Sequence, residues 1–156
     1  MSVREGLEFE TQILSDTSPL TSLVKDILDA STRISCMRDP TRGGVASALN
    51  EIASSSKVGI RIDEKKIPIT REVKGACEML GLDTLYVANE GKLIAIVERD
   101  DAERIVERIR ANPLGREAVI IGEVIDEHPG IVFMKTKVGG TRVVDMLTGE
   151  QLPRIC

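Results

Sequence analysis

A chain of 156 residues with 42% hydrophobic residues has the length and apolar content of one core-forming domain. Its net charge of −4, with both signs interspersed, gives no support to nucleic-acid binding or to a polybasic membrane anchor. The longest apolar runs are strand-sized, and three cysteines without a CxxC pair read as free thiols of a cytoplasmic protein rather than a disulfide framework. With no Trp, one Tyr and two Phe, the core must be built from aliphatic side chains.

Residues 1–16 carry several charges and no clean period, and are expected to be a connecting segment. From Ser18 a helix is expected, with Ser18 as its cap, Pro19 at its first position, and Leu20, Leu23, Val24, Ile27 and Leu28 on one face. "RISCM" (33–37) is a strand that "RDPTRGG" breaks. "VASALNEIASSS" then has Val45, Leu49 and Ile52 at helical spacing. "VGIRID" (58–63) alternates as a half-buried strand does, and "TREVKGACEML" predicts a helix from Thr70 that Gly81 stops. "GKLIAIVE" is nearly all apolar and is expected at the centre of a sheet. "DDAERIVERIRAN" is a helix with Asp100 and Asp101 at its positive end. "AVIIGEVI", "GIVFMKT" and "TRVVDM" are three further strands, with "EHPG" as a turn. The order predicts an α/β (α+β layered) domain over 17–146, a mixed sheet packed by amphipathic helices, and a mobile tail over 147–156.

Three stretches have chemical potential. In "MRDPTRGGVA" a strand passes through Pro40 into Gly43–Gly44 at a helix start. Free amides there, with the Arg38 and Arg42 guanidinium groups, suit phosphate or carboxylate, and Asp39 could hold a cation or an arginine. A capped helix start with surface arginines explains the same pattern equally well. "YVANEGKL" puts Asn89 and Glu90 before an apolar strand, where a carboxylate can serve as a base, although an ordinary turn is the simpler reading. "VGGTR" is fully explained as a hairpin turn. His128 has no partner motif, while Cys36, Cys77, Met134 and Met146 read as core fillers. Cys156 closes the sequence on "QLPRIC". An exposed tail thiol can carry an acyl-like group, but with a reference pKa of about 8.5 it needs activation at neutral pH.

The segments "REGLEFET", "MRDPTRGGVASALNEIA", "GACEMLGLD", "YVANEGKL", "NPLGREAVIIGEV" and "GGTRVVDMLTGEQLPRIC" cover nearly the whole chain. Together they resemble the C-terminal domain of the HypE family of hydrogenase maturation proteins, within the superfamily of aminoimidazole ribonucleotide synthetase, selenophosphate synthetase and thiamine-monophosphate kinase. The resemblance implies half of a two-domain, ATP-dependent enzyme. A carbamoyltransferase, HypF, would load a carbamoyl group on Cys156. ATP would drive its dehydration to a thiocyanate, and the cyanide would pass to iron in a HypC–HypD complex for nickel–iron hydrogenase. It gives Glu90 the role of base and places Arg38, Asp39, Thr41, Arg42, Gly43, Gly44 and Asn89 along a cleft for ATP phosphate or for the tail. The family's N-terminal half, which carries most of the ATP and Mg2+ site, is not in this sequence. The expectation is a piece or a split partner, inactive alone, with a homodimer possible. The alternatives are another synthetase of the superfamily acting on a small-molecule amide or phosphate, which has no use for a terminal cysteine, and a non-catalytic docking domain.

Overall fold

The structure is a computed structural model and describes residues 17–147. The expected connecting segment, 1–16, and residues 148–156 of the expected tail lie outside the described residues. Helix α1 spans Thr21–Ala30 and begins later than expected. Leu20, not Ser18, is its cap, and no side chain caps it. Residues 17–20 form an irregular lead-in whose Thr17 hydroxyl donates to Glu90 Oε2 at 3.3 Å. That bond joins the lead-in to the loop that carries Glu90. α1 buries Leu23 and Ile27 and packs against α4, Arg99–Arg110, which contributes Ile105 and Val106.

Strand β1, Ile34–Arg38, pairs antiparallel with β3, Ile94–Val97, with a register shift between Ile34 and Cys36. These two strands make a sheet of their own. The second sheet is mixed and has four strands in the order β4 (Gly122–Ile125), β2 (Gly59–Asp63), β5 (Val132–Lys135) and β6 (Thr141–Val143). β2 runs parallel to β5 and antiparallel to β4. The single sheet expected from the sequence is therefore two, and β3 is not central. Its four residues are only half-buried and pair with β1 alone among the described residues. An apolar run records how dry a strand is meant to be, and leaves open how many neighbours supply that dryness.

Helix α2, Gly44–Ser56, lies on β2 and β5. Its Ala46, Leu49, Ile52 and Ala53 join Ile60, Ile62, Val132, Met134 and Val144 in an aliphatic core. The alternation in β2 is as expected: Ile60 and Ile62 point inwards and Arg61 outwards. Helix α3, Arg71–Leu80, starts on a Thr70 cap that accepts from the Val73 amide and stops at left-handed Gly81. Met134 is buried as expected, but Met146 is 43% exposed and fills no gap.

The α1–α4 layer is tied to β1 through one carboxylate. Asp101, at the start of α4, accepts from Ser31 Oγ (2.5 Å), Arg33 Nε (3.0 Å) and Arg104 Nη2 (2.7 Å). Hydrogen bonds from Arg33, Ser31 and Arg104 hold its carboxyl well below the usual carboxylate range, against a smaller opposing effect of desolvation. A depressed native pKa means stability present above the unfolded value and lost as pH falls through the native one. Asp101→Asn is therefore expected to lower the melting temperature at neutral pH. The deficit should narrow as pH drops below the ordinary aspartate value of about 3.9 and close only below the native one, a narrowing that thermal melts between neutral pH and pH ~2 would read directly. A deficit independent of pH would contradict this account.

Candidate functional site

Gly43 and Gly44 both have positive φ, +69° and +61°. Gly43 caps α2 in the left-handed region, and Gly44 opens the helix. A Cβ on Gly44 would lie 2.4 Å from the Leu85 carbonyl oxygen and 2.5 Å from that of Val87. The second glycine is thus required because the start of α2 presses against backbone. The segment it meets, a 3-10 turn at Thr84–Tyr86 followed by "VANEG", is the second stretch singled out above. The Asn89 amide also donates to the Pro40 carbonyl at 2.9 Å, and Pro40 is fully buried. "RDPTRGG" and "ANEG", nearly fifty residues apart in the chain, are one packed unit.

Not every candidate side chain is equally available. Arg38 is ion-paired with Glu51 of α2. Asn89 Nδ2 donates to the Val87 carbonyl at 2.7 Å, which fixes the turn from inside. Thr41 is half-buried, whereas Asp39 and Arg42 are exposed and make no side-chain hydrogen bond or ion pair among the described residues. Glu90 is exposed and holds Thr17. Arg42, Gly43, Asn89 and Glu90 line one open trough of about 2690 Å³ that also reaches β3 and β4. This exceeds the roughly 300–1,000 Å³ of a closed small-molecule pocket, so it is a gap between layers rather than a formed ligand cavity. No group of three His, Cys, Asp or Glu suited to a metal ion is gathered among the described residues. No helix among them is long and apolar enough to cross a membrane.

Three residues to which the sequence reading gave no role matter to this unit. Leu147 Cδ2 lies 3.5 Å from where a Gly43 Cβ would stand, so the last described residue rests on the glycine turn. Asn50 donates to the Val144 carbonyl at 2.8 Å, and Tyr86 Oη donates to the Asp145 carbonyl, also at 2.8 Å. Asn50 could have been noticed in the sequence, because it shares the helical face of Ala46, Leu49 and Ala53. Tyr86 is the only tyrosine of the chain. Burial raises the Tyr86 pKa, as does nearby Asp83, so the hydroxyl keeps its proton and remains a donor at neutral pH. Leu147 carries no signal without the fold. Cys156 lies outside the described residues. The other expected roles fit: Cys77 is buried in α3, Cys36 is half-buried in β1, and "VGGTR" turns between β5 and β6.

A family model described as "AIR synthase related protein, C-terminal domain" matches residues 1–135. The chain belongs to this family. Carbamoyl dehydratase HypE of Azotobacter vinelandii is 55% identical over 156 residues, all of this chain and 46% of that protein. Among solved structures, the hydrogenase maturation protein HypE in complex with ATP superposes with a TM-score of 0.91 at 42% identity, covering 99% of this chain and 48% of that one. The HypE–HypF complex superposes with a TM-score of 0.87 at 46% identity, covering 92% and 47%. The chain spans about half the length of the curated relatives it matches. The mixed α/β architecture is that of the HypE C-terminal part, as the resemblance implied.

Gly44 is the position in the site where this packing is most exacting. Gly44→Ala adds about 1–2 kcal/mol of left-handed strain to roughly 1–3 kcal/mol of overpacking against backbone. Gly81→Ala, with φ +66° and nothing within 4 Å of the new methyl, adds only the strain, about 1–2 kcal/mol. Urea denaturation of the two variants should rank Gly44→Ala as clearly the more destabilised. Equal losses would remove the close approach as the reason for this glycine.

Proposed function

We propose that this chain is the C-terminal half of an ATP-dependent carbamoyl dehydratase of nickel–iron hydrogenase maturation, in which Cys156 carries the reacting group. The observation that carries the reading is the joint unit of "RDPTRGG" and "ANEG" with Leu147 resting on it. Nine residues separate Leu147 from Cys156 inclusive. Fully extended, they reach at most about 30 Å, enough to bring a thiol to Glu90 or Arg42. The similarity to HypE bound to ATP and to HypE in complex with HypF supports ATP as co-substrate and a HypF-type carbamoyltransferase as the loading partner.

In this reading the S-carbamoyl group of Cys156 is dehydrated to a thiocyanate. ATP supplies the phosphoryl group that turns the carbamoyl oxygen into a leaving group. Carbon–oxygen cleavage then forms the C≡N bond, and the nitrogen gives up its protons. Glu90 accepts one of that nitrogen's two protons, and the other leaves with the phosphate that carries away the carbamoyl oxygen. Its exposure lets an incoming tail reach it, and the Thr17 hydroxyl orients it. Arg42, with no side-chain hydrogen bond or ion pair among the described residues, suits a phosphate oxygen, with Thr41 beside it. No group of three His, Cys, Asp or Glu suited to a metal ion is gathered among the described residues, and the resemblance places the Mg2+ with the ATP-binding half. Transfer of the cyanide to iron in a HypC–HypD complex, homodimerisation and a cytoplasmic setting belong to the same proposal.

Intact-protein mass spectrometry tests it. The chain joined to its ATP-binding half, incubated with the carbamoyltransferase, carbamoyl phosphate and ATP, should gain a carbamoyl-sized mass and then lose water. Cys156→Ala should show neither change. Glu90→Gln should gain the carbamoyl group but lose water roughly 10²-fold or more slowly, the usual contribution of a general base. Loading of Cys156→Ala would overturn the carrier assignment. Dehydration at the normal rate in Glu90→Gln would remove Glu90 as the base.

A further inference from the structure

β6 ends at Val143, and the last ladder bond of the sheet runs from the Val144 amide to the Val132 carbonyl at 2.8 Å. The next two backbone carbonyls have left the sheet. Each is nevertheless taken up by a side chain: Val144 by Asn50 of α2 and Asp145 by Tyr86 of the 3-10 turn. Asn50 is only 8% exposed. Its other amide hydrogen goes to the Ala46 carbonyl at 2.9 Å, so both of its donors face acceptors. A buried amide in a helix that otherwise packs through Ala and Leu is costly unless fully bonded. An apolar residue would serve the core, but it would leave the Val144 carbonyl without a partner. Upstream, Arg142 is bridged to Asp83 at 2.6 Å, on the same segment that holds Tyr86. The chain is thus held at 142, 144 and 145 just before Leu147 meets Gly43.

We propose that Asn50 and Tyr86 are positioning residues that clamp the root of the C-terminal tail beside the joined glycine and "ANEG" loops. The inference deepens the proposed function and rests on the tail being the working part of that site. The clamp holds the backbone at Val144 and Asp145 to α2 and to the 3-10 turn. It also fixes the point from which the tail departs. A root displaced from that point lowers the effective concentration of the Cys156 thiol at the cleft.

The test measures tail position without any carbamoyl chemistry. In the 156-residue chain carrying Cys36→Ser and Cys77→Ala, Cys156 is the one remaining thiol. A partner cysteine is added either at the glycine turn, Arg42→Cys, or on the outer face of α4, Glu107→Cys. Rates of internal disulfide formation in a glutathione redox buffer give a near-to-far ratio. With the clamp intact, the ratio should favour Arg42→Cys. Tyr86→Phe removes one hydroxyl and Asn50→Ser shortens the other donor, and together they should cut the ratio by about two-fold or more. Should the Asn50 variant not fold, Tyr86→Phe alone decides, with a smaller drop expected. An unchanged ratio in folded variants would overturn the clamp, as would equal rates at the two sites in the parent. Either result leaves the carbamoyl-loading test of Cys156 to stand or fall by itself.

Discussion

The approach of Gly44 to the carbonyls of Leu85 and Val87 is the constraint on which the candidate site depends. It lets the start of α2 lie directly on the 3-10 turn, with no side chain between two stretches of backbone. The Asn89 amide and the Pro40 carbonyl close the same junction from its other side. What the sequence presents as two loops is then a single rigid surface, with exposed Arg42 and Glu90 placed on it. Fixed backbone positions its side chains without ordering them at the moment of use, which is the structural basis of preorganisation.

The rest of the architecture serves that junction. The aliphatic core under α2, built on Ile60, Ile62, Val132 and Val144, fixes the height of the helix over the mixed sheet. The Asp101 cluster fixes α4 and β1, and β1 leads directly into Arg38 and Pro40. Beyond β6, Val144 is held by Asn50 of α2 and Asp145 by Tyr86, and Leu147 lies against Gly43. The half-buried apolar residues of β3 line the trough. The relatives of known structure are about twice as long as this chain.

Most of the fold was legible because its signals are local. Thr70 and Gly81 bracket α3 by their own conformational preferences, and Ile60 and Ile62 alternate as one face of a strand must. Errors arose where a local signal met a non-local competitor. Ser18 and Pro19 look like a helix start, but Thr17 is held by Glu90, seventy-three residues away. The apolar run of β3 suggested a central strand, yet burial can come from helices and from a neighbouring layer as well as from two flanking strands. The motifs of the site were readable as chemistry, whereas their contact was not. Gly44 reads as a phosphate-loop glycine until the backbone it touches is known. Asn50 and Tyr86 were passed over because their partners are main-chain carbonyls, which leave no pattern in the side-chain alphabet.

The central claim is that the glycine turn and the "ANEG" loop are one cooperative unit. Native-state hydrogen exchange of the Asn89 amide tests this most directly, because that proton is the bond between them. An exposed loop amide opens with almost no free-energy cost, whereas one inside a packed unit opens only with its surroundings. The account predicts that Asn89 exchanges with the protection of the Ser47 amide in the first turn of α2, and that Gly44→Ala lowers both together. Exchange of Asn89 at the rate of a free loop, with α2 still protected, would contradict it.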